Sequence, residues 1–227
     1  MNMLNNQDQE ADNICVPLLS EIGVGINTQR FFFPFFSGDN GRIVFDFTWK
    51  DEIMDKEIFG SNTHRLTSSM GIWLVGATED VHHAFLFFSA VEALAFFHIN
   101  QFKYDFLNRC VFIALGVKPC KEQIEFVKSL YKKAKIHTIF GNDLLGRIYD
   151  CKVSLWLNKK DCVFFLDKHN KVVVQAIDCF KKTEIERSKF SFFSFYRSHG
   201  GRGNLKTHKP SAKFNSFTEY MVARNLI

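Results

Sequence analysis

No two of the six cysteines, Cys15, Cys110, Cys120, Cys151, Cys162 and Cys179, form a Cys-x-x-Cys pair. A zinc site or a dense disulfide framework needs closer or paired spacing, so the thiols read as buried, reduced groups of an intracellular protein. No apolar run approaches the roughly 18 to 20 residues that span a bilayer. The opening stretch, MNMLNNQDQEADN, lacks the basic-then-apolar pattern of a secretory signal. These absences predict a soluble, cytoplasmic chain with no membrane partner. The glycine-rich stretch SHGGRGNLKTHK lacks the Gly-Lys-Ser/Thr ending of a phosphate-binding loop, and no internal repeat is visible. Clustered carboxylate is scarce too: where a strand ends in the turn FGND, only Asp143 stands at the turn.

What is present is ordinary globular material. The chain has 227 residues, 46% hydrophobic and 23% charged, enough for a substantial core in one domain or one domain with additions. The 27 phenylalanines fall mostly in strand-like runs and read first as core. Charge is uneven. From Lys181 onward ten Lys and Arg face three Glu, a balance of +7, whereas the whole chain is +5. The first 180 residues are therefore slightly acidic. A basic C-terminal quarter points to a polyanionic partner, with nucleic acid the leading class.

Along the chain, residues 1–12 are polar and aperiodic and read as disordered. Residues 13–70 form a first subdomain. NICVPLLSEIGV reads as a short helix, and Ser37-Gly38-Asp39-Asn40-Gly41 as the turn of a β-hairpin, because Asp-Asn-Gly reaches positive φ cheaply. IVFDFTW alternates as a half-buried strand does, and DKEIFGSNTHRLTSSMGIWLVGA reads as a polar loop returning into a strand at Gly71–Ala77. Residues 71–180 then alternate strand and helix: HHAFLFFS, AVEALAFFHIN, CVFIALG, KPCKEQIEFVKSLYKKAK, IHTIFG, DLLGRIYDCKVSLWLN. That order predicts an α/β fold with a parallel sheet flanked by helices. CVFFLDKHNKVVVQAI follows as a hairpin turning near His169-Asn170. In the basic extension 181–227, FSFFSFY reads as a buried strand, the other reading being stacking faces. Ser216 and Glu219 make a capping box for a last helix.

Ligands of an open parallel sheet bind outside the carboxyl ends of its strands. Here those ends are Phe87-Phe88-Ser89, Leu115-Gly116-Val117 and Phe140 to Asp143. The acids within reach are Asp143 and Glu92. A Mg2+ site wants two or three carboxylates, and Asp143 reads at least as well as the cap of the following helix. Lys118 and Lys121 sit beside the Gly116 turn, either to meet a phosphate or simply as solvated charges. Arg197, Arg202, Lys206, His208 and Lys209 sit in or beside the glycine-rich loop, which reads either as a mobile surface loop or as a clamp on single-stranded nucleic acid. The neighbours His82 and His83 point to opposite faces of a strand, which does not suit them to share a metal.

The order FSAVEAL, IALGVKPCKEQ and FGNDLLGRIYD resembles the motifs of the Toprim domain, the α/β module of primases, topoisomerases and related nucleases. KPSAKFNSFTEYM resembles the ending of primase-like Toprim proteins of plasmids and conjugative elements. FFFPFFSGDNGRIVFDFTWKD and FGSN resemble the segment that precedes Toprim there. The resemblance runs over about residues 20–225. It implies an N-terminal β-rich extension before a Toprim-like sheet, and a catalytic Glu and an Asp-x-Asp pair holding Mg2+. At the first of those positions this chain has Phe88, and at the first Asp it has Gly141. Glu92 falls on the family's helical Asp and Asp143 on the second Asp, both remnants.

The expectation is therefore a degenerate, non-catalytic Toprim-like protein of a mobile element, binding DNA, nucleic acid more generally, or a replication or mobilisation partner. The alternatives are a divergent Mg2+-dependent primase or nuclease using Asp143, Glu92 and Asp150, and a protein-interaction adaptor or inhibitor.

Overall fold

The computed structural model describes residues 15–104, 106–177, 182–201 and 203–225, without the side chains of Phe106 and Leu107. The 1–12 segment, Cys179 and Arg202 lie outside the described residues. Two short helices, α1 (Pro17–Glu21) and α2 (Ile26–Phe32), lead into a four-stranded antiparallel sheet. Its strands are β1 (Ser37–Asp39), β2 (Arg42–Trp49), β3 (Glu52–Gly60) and β4 (Thr63–Arg65), in chain order. The β1–β2 turn is the expected one, with Asn40 and Gly41 at φ 50° and 73°.

The segment read as a polar loop is instead β3 and β4. Charged residues mask β3, because its outward face carries Glu52 and Lys56 while Glu57 and Phe59 are buried. A bulge near Thr48 shifts the β2–β3 register and blurs the alternation further.

The central sheet is mixed and mostly parallel. Its strands are β5 (Trp73–Gly76), β6 (His83–Phe87), β7 (Cys110–Ala114), β8 (Lys135–Ile139) and β12 (Lys206–Thr207), in the order β12-β8-β6-β7-β5. Only β5 runs antiparallel. β6 is followed by α3 (Ala90–Asn100), then α4 (Phe106–Arg109) leads into β7. α5 (Lys121–Leu130) and α6 (Leu144–Leu157) follow β7 and β8. This is the expected β-α-β-α-β-α order.

Strand alternation divides the core. Phe85, Phe87, Phe112 and Trp73 pack with α2 and α3 on one face, and Leu86, Ile113, Ile136 and Phe140 with α5 and α6 on the other. Residues of the N-terminal sheet, Phe45, Phe47 and Phe59, belong to the first of these cores, as does α8 (Phe217–Asn225) through Phe217 and Met221. Among the described residues thirteen phenylalanines are buried in the core, while Phe33, Phe35, Phe102, Phe165 and Phe193 are exposed. Of the described thiols Cys110, Cys151 and Cys162 are buried, while Cys15 is exposed. Among the described residues no helix is long and apolar enough to cross a membrane.

The hairpin 162–176 gains a third strand. β9 (Cys162–Leu166), β10 (Lys171–Ala176) and β11 (Lys182–Glu186) form a separate antiparallel sheet. It packs with α6 and α7 (Phe192–His199) around Cys151, Phe190 and Phe195. The run FSFFSFY is thus largely a helix and not a strand. Ser191 accepts from the Ser194 amide and Ser194 returns the contact to the Ser191 amide, a capping box that satisfies the first orphan donors. Five aromatics in seven residues fit a strand and a helix equally well by periodicity, and the cap decides between them.

The carboxyl edge of the central sheet and a candidate nucleic-acid interface

At the carboxyl ends of β6 and β8 stand two rings, Phe88 and Phe140, with Gly141 next in the chain. Phe88 stacks on Phe140 with centroids 4.3 Å apart, and Tyr149 meets Phe88 edge-on at 5.4 Å. Asp143 caps α6, accepting from the Gly146 amide at 2.7 Å. Gly141 has no room for a side chain: a Cβ there would collide with the Asn215 carbonyl. One on Gly146 would collide with the Gly141 carbonyl. An Asp at position 141 is incompatible with this packing.

The segment that fills the edge comes from the C-terminal quarter. Asn142 takes the Asn215 carbonyl on its amide at 2.8 Å and donates its side chain to the Phe214 carbonyl at 2.8 Å. Glu92 accepts from the Phe217 and Thr218 amides at 2.9 and 3.0 Å and so caps α8. Lys209 donates to the Phe140 and Gly141 carbonyls and pairs with Asp150 at 2.7 Å. Burial pushes the Asp150 carboxyl up to about 6, against the pull of Lys209. Glu92, Asp143, Asp150 and Lys209, all named from the sequence, here fasten the 209–218 segment or a helix start. A cavity of about 680 Å³ remains between this segment and the sheet, lined in part by His64, Phe88, Asp143 and Val222. These residues do not fit a Mg2+ ion: Asp143 Oδ1 is held by the Gly146 amide, the Glu92 oxygens by the Phe217 and Thr218 amides and Glu219 by the Asn215 amide, and a ring occupies the neighbouring strand end.

One buried acid escaped the sequence reading. Glu57, on β3, is fully buried at the start of α3. It accepts from the Ser89 hydroxyl at 2.6 Å, the Ala90 amide at 2.8 Å and the Val91 amide at 3.4 Å, and it meets His64 Nε2 at 2.9 Å. The acid sits 32 residues before the helix it caps, so no local pattern announces it.

The other predicted cations do not converge. Lys118 is exposed after β7, and Lys121 begins α5 beside Glu125. Lys206 is exposed on β12 and Arg197 on α7, beyond the opposite edge. The β7 and β12 strands are three spacings apart, about 14 Å. His208 is one of three imidazoles in a chain. His83 Nδ1 lies 2.9 Å from His137 Nε2, and His137 Nδ1 lies 2.8 Å from His208 Nε2. His82 points away, 3.3 Å from Asp80.

Burial, then the adjacent imidazoles and the ammonium groups of Lys135 and Lys206, push His137 down to about 3. Burial, with Lys206, Lys103 and Lys135, pushes His208 down to about 4. His83 is lowered by burial first and then by His82, Lys135 and Lys206. A histidine held neutral binds fewer protons folded than unfolded. Its contribution is whole above pH 6.5 and falls as pH drops toward the folded value. His137 alone implies a loss of about 2 kcal/mol between pH 7.5 and pH 5. Urea unfolding at those two pH values is expected to show it, and His137→Gln to show a smaller pH-linked loss.

No protein-family model matches the chain, and no curated protein matches it. Among solved structures, it is similar to the primase fragment of the bacteriophage T7 primase–helicase protein. The TM-score is 0.44 at 14% identity, over 62% of this chain and 60% of that one. It is also similar to a chain of the bacteriophage T7 lagging-strand DNA polymerase assembly with primase domains bound to an RNA/DNA hybrid and dTTP. There the TM-score is 0.39 at 14% identity, over 57% of this chain and 68% of that one. The chain thus spans about 60% of the length of the first of these.

Proposed function

We propose that the chain is a catalytically degenerate Toprim-like protein that binds nucleic acid through its basic C-terminal quarter. We further propose that it serves replication or mobilisation of a mobile element. The observation that carries the loss of catalysis is the Phe88–Phe140 stack at the strand ends, with Gly141 pressed against the Asn215 carbonyl. A phenyl ring neither moves a proton nor binds a hard cation, so chemistry that depends on carboxylates there has no support. The charge balance beyond Lys181 supports a polyanion as the partner.

Fluorescence anisotropy with single-stranded and duplex oligonucleotides, at two salt concentrations and with or without Mg2+, tests the reading. The expected result is binding that weakens steeply with salt and ignores Mg2+. Mg2+-dependent turnover would overturn the degenerate reading, and absence of binding under every condition would overturn the nucleic-acid reading in favour of a protein partner.

A further inference from the structure

The aromatic run that reads as core from the sequence is split by the helix it forms. Phe190 and Phe195 are fully buried, but Phe193 keeps 74% of its surface exposed. One helical turn on, at i+4, Arg197 is also exposed, so the ring and the guanidinium share one face of α7. Lys189 is exposed just before the Ser191 cap. Beside them opens a cavity of about 370 Å³ whose lining includes Arg147, Lys189, Phe193, Thr207, Asp150 and Lys209. The Asp150 carboxylate would repel an anion there, but it is buried and paired with Lys209. The exposed carboxylates of the adjoining strand are Glu184 and Glu186, and Glu184 is paired with Lys182 at 2.9 Å. A solvated ring flanked by cations at the mouth of a cavity is what a single-stranded nucleic acid needs: a face for a base and charges for its phosphates.

We infer that α7 is the single-strand binding surface, with a base stacked on Phe193 and the adjoining phosphates held by Lys189 and Arg197, the cavity at Arg147 taking one of them. This deepens the proposed function and rests on it. It moves the contact from the glycine-rich loop to the helix before it, and assigns no role to Lys118 or Lys121.

The test is anisotropy of the full chain with a fluorescein-labelled twelve-nucleotide oligothymidine over a salt series. Phe193→Ala is expected to weaken binding about tenfold with an unchanged salt slope, and Phe193→Trp to retain it. Lys189→Ala and Arg197→Ala are each expected to reduce the salt slope by about one. Lys118→Ala with Lys121→Ala is expected to bind as the unaltered chain does. All these side chains reach solvent, and circular dichroism checks that each variant folds. Binding by Phe193→Ala equal to that of the unaltered chain would overturn the inference and leave the proposed function standing. Failure of the unaltered chain to bind at any salt would overturn both.

Discussion

Replacing Glu57 by alanine is expected to cost about 3 to 5 kcal/mol, the scale for removing one member of a buried, fully engaged charged network. The carboxylate is fully buried and receives a hydroxyl and two amides at the start of α3. It lies at the amino end of α3, where the Ser89 hydroxyl and the Ala90 and Val91 amides bond to it in place of water. Alanine would strand those donors in the core and leave a void at the junction of β3 and the central sheet. At roughly 2 to 4 °C per kcal/mol for a chain of this size, the melting temperature should fall by about 6 to 20 °C. Glu57→Gln should fall less, since its amide oxygen still accepts. Thermal and urea unfolding of the three proteins measures this. An alanine variant within 1 °C of the parent would mean that β3 does not hold α3 in this way.

Lys209→Met is the second large effect. Its ammonium is the charge partner of Asp150, whose oxygens are buried without well-formed hydrogen bonds. Removing the cation leaves a bare carboxylate in the core, which typically costs about 3 to 5 kcal/mol at neutral pH. The penalty depends on pH in a definite direction. Burial already raises Asp150 to about 6, above its unfolded value near 3.8, so stability from this group is whole below that unfolded value and is lost as pH rises through 6. Without Lys209 the folded value rises further. The gap between the parent and Lys209→Met should therefore widen from pH 5 to pH 8, measured by urea midpoints. Asp150→Leu added to Lys209→Met should recover much of the loss, because the pair is then replaced by apolar contact. The same variant should loosen the 209–215 segment from Phe140 and Gly141. Faster hydrogen exchange at the Asn142 amide, which bonds to the Asn215 carbonyl, would report that.

Much of the architecture is local and was legible in the residues. Strand–helix alternation from His83 to Leu157, the Asp39-Asn40-Gly41 turn, the Asp143 cap and the Ser216 cap follow from periodicity, turn chemistry and capping within a few residues. The absence of a carboxylate at positions 88 and 141 is likewise a fact of sequence.

What the sequence left open is everything set by contacts between distant segments. Period alone could not choose between strand and helix for FSFFSFY, nor expose Phe193 while burying Phe195. Glu57 reaches α3 from 32 residues away, Glu92 reaches α8 from 125, and Lys209 reaches Gly141 from 68. His83, His137 and His208 meet because β6, β8 and β12 lie side by side. Backbone propensity and side-chain period act over one or two turns. A buried charge finds its partner only when the whole chain has closed around it, and desolvation in that closed core is what makes the partner matter.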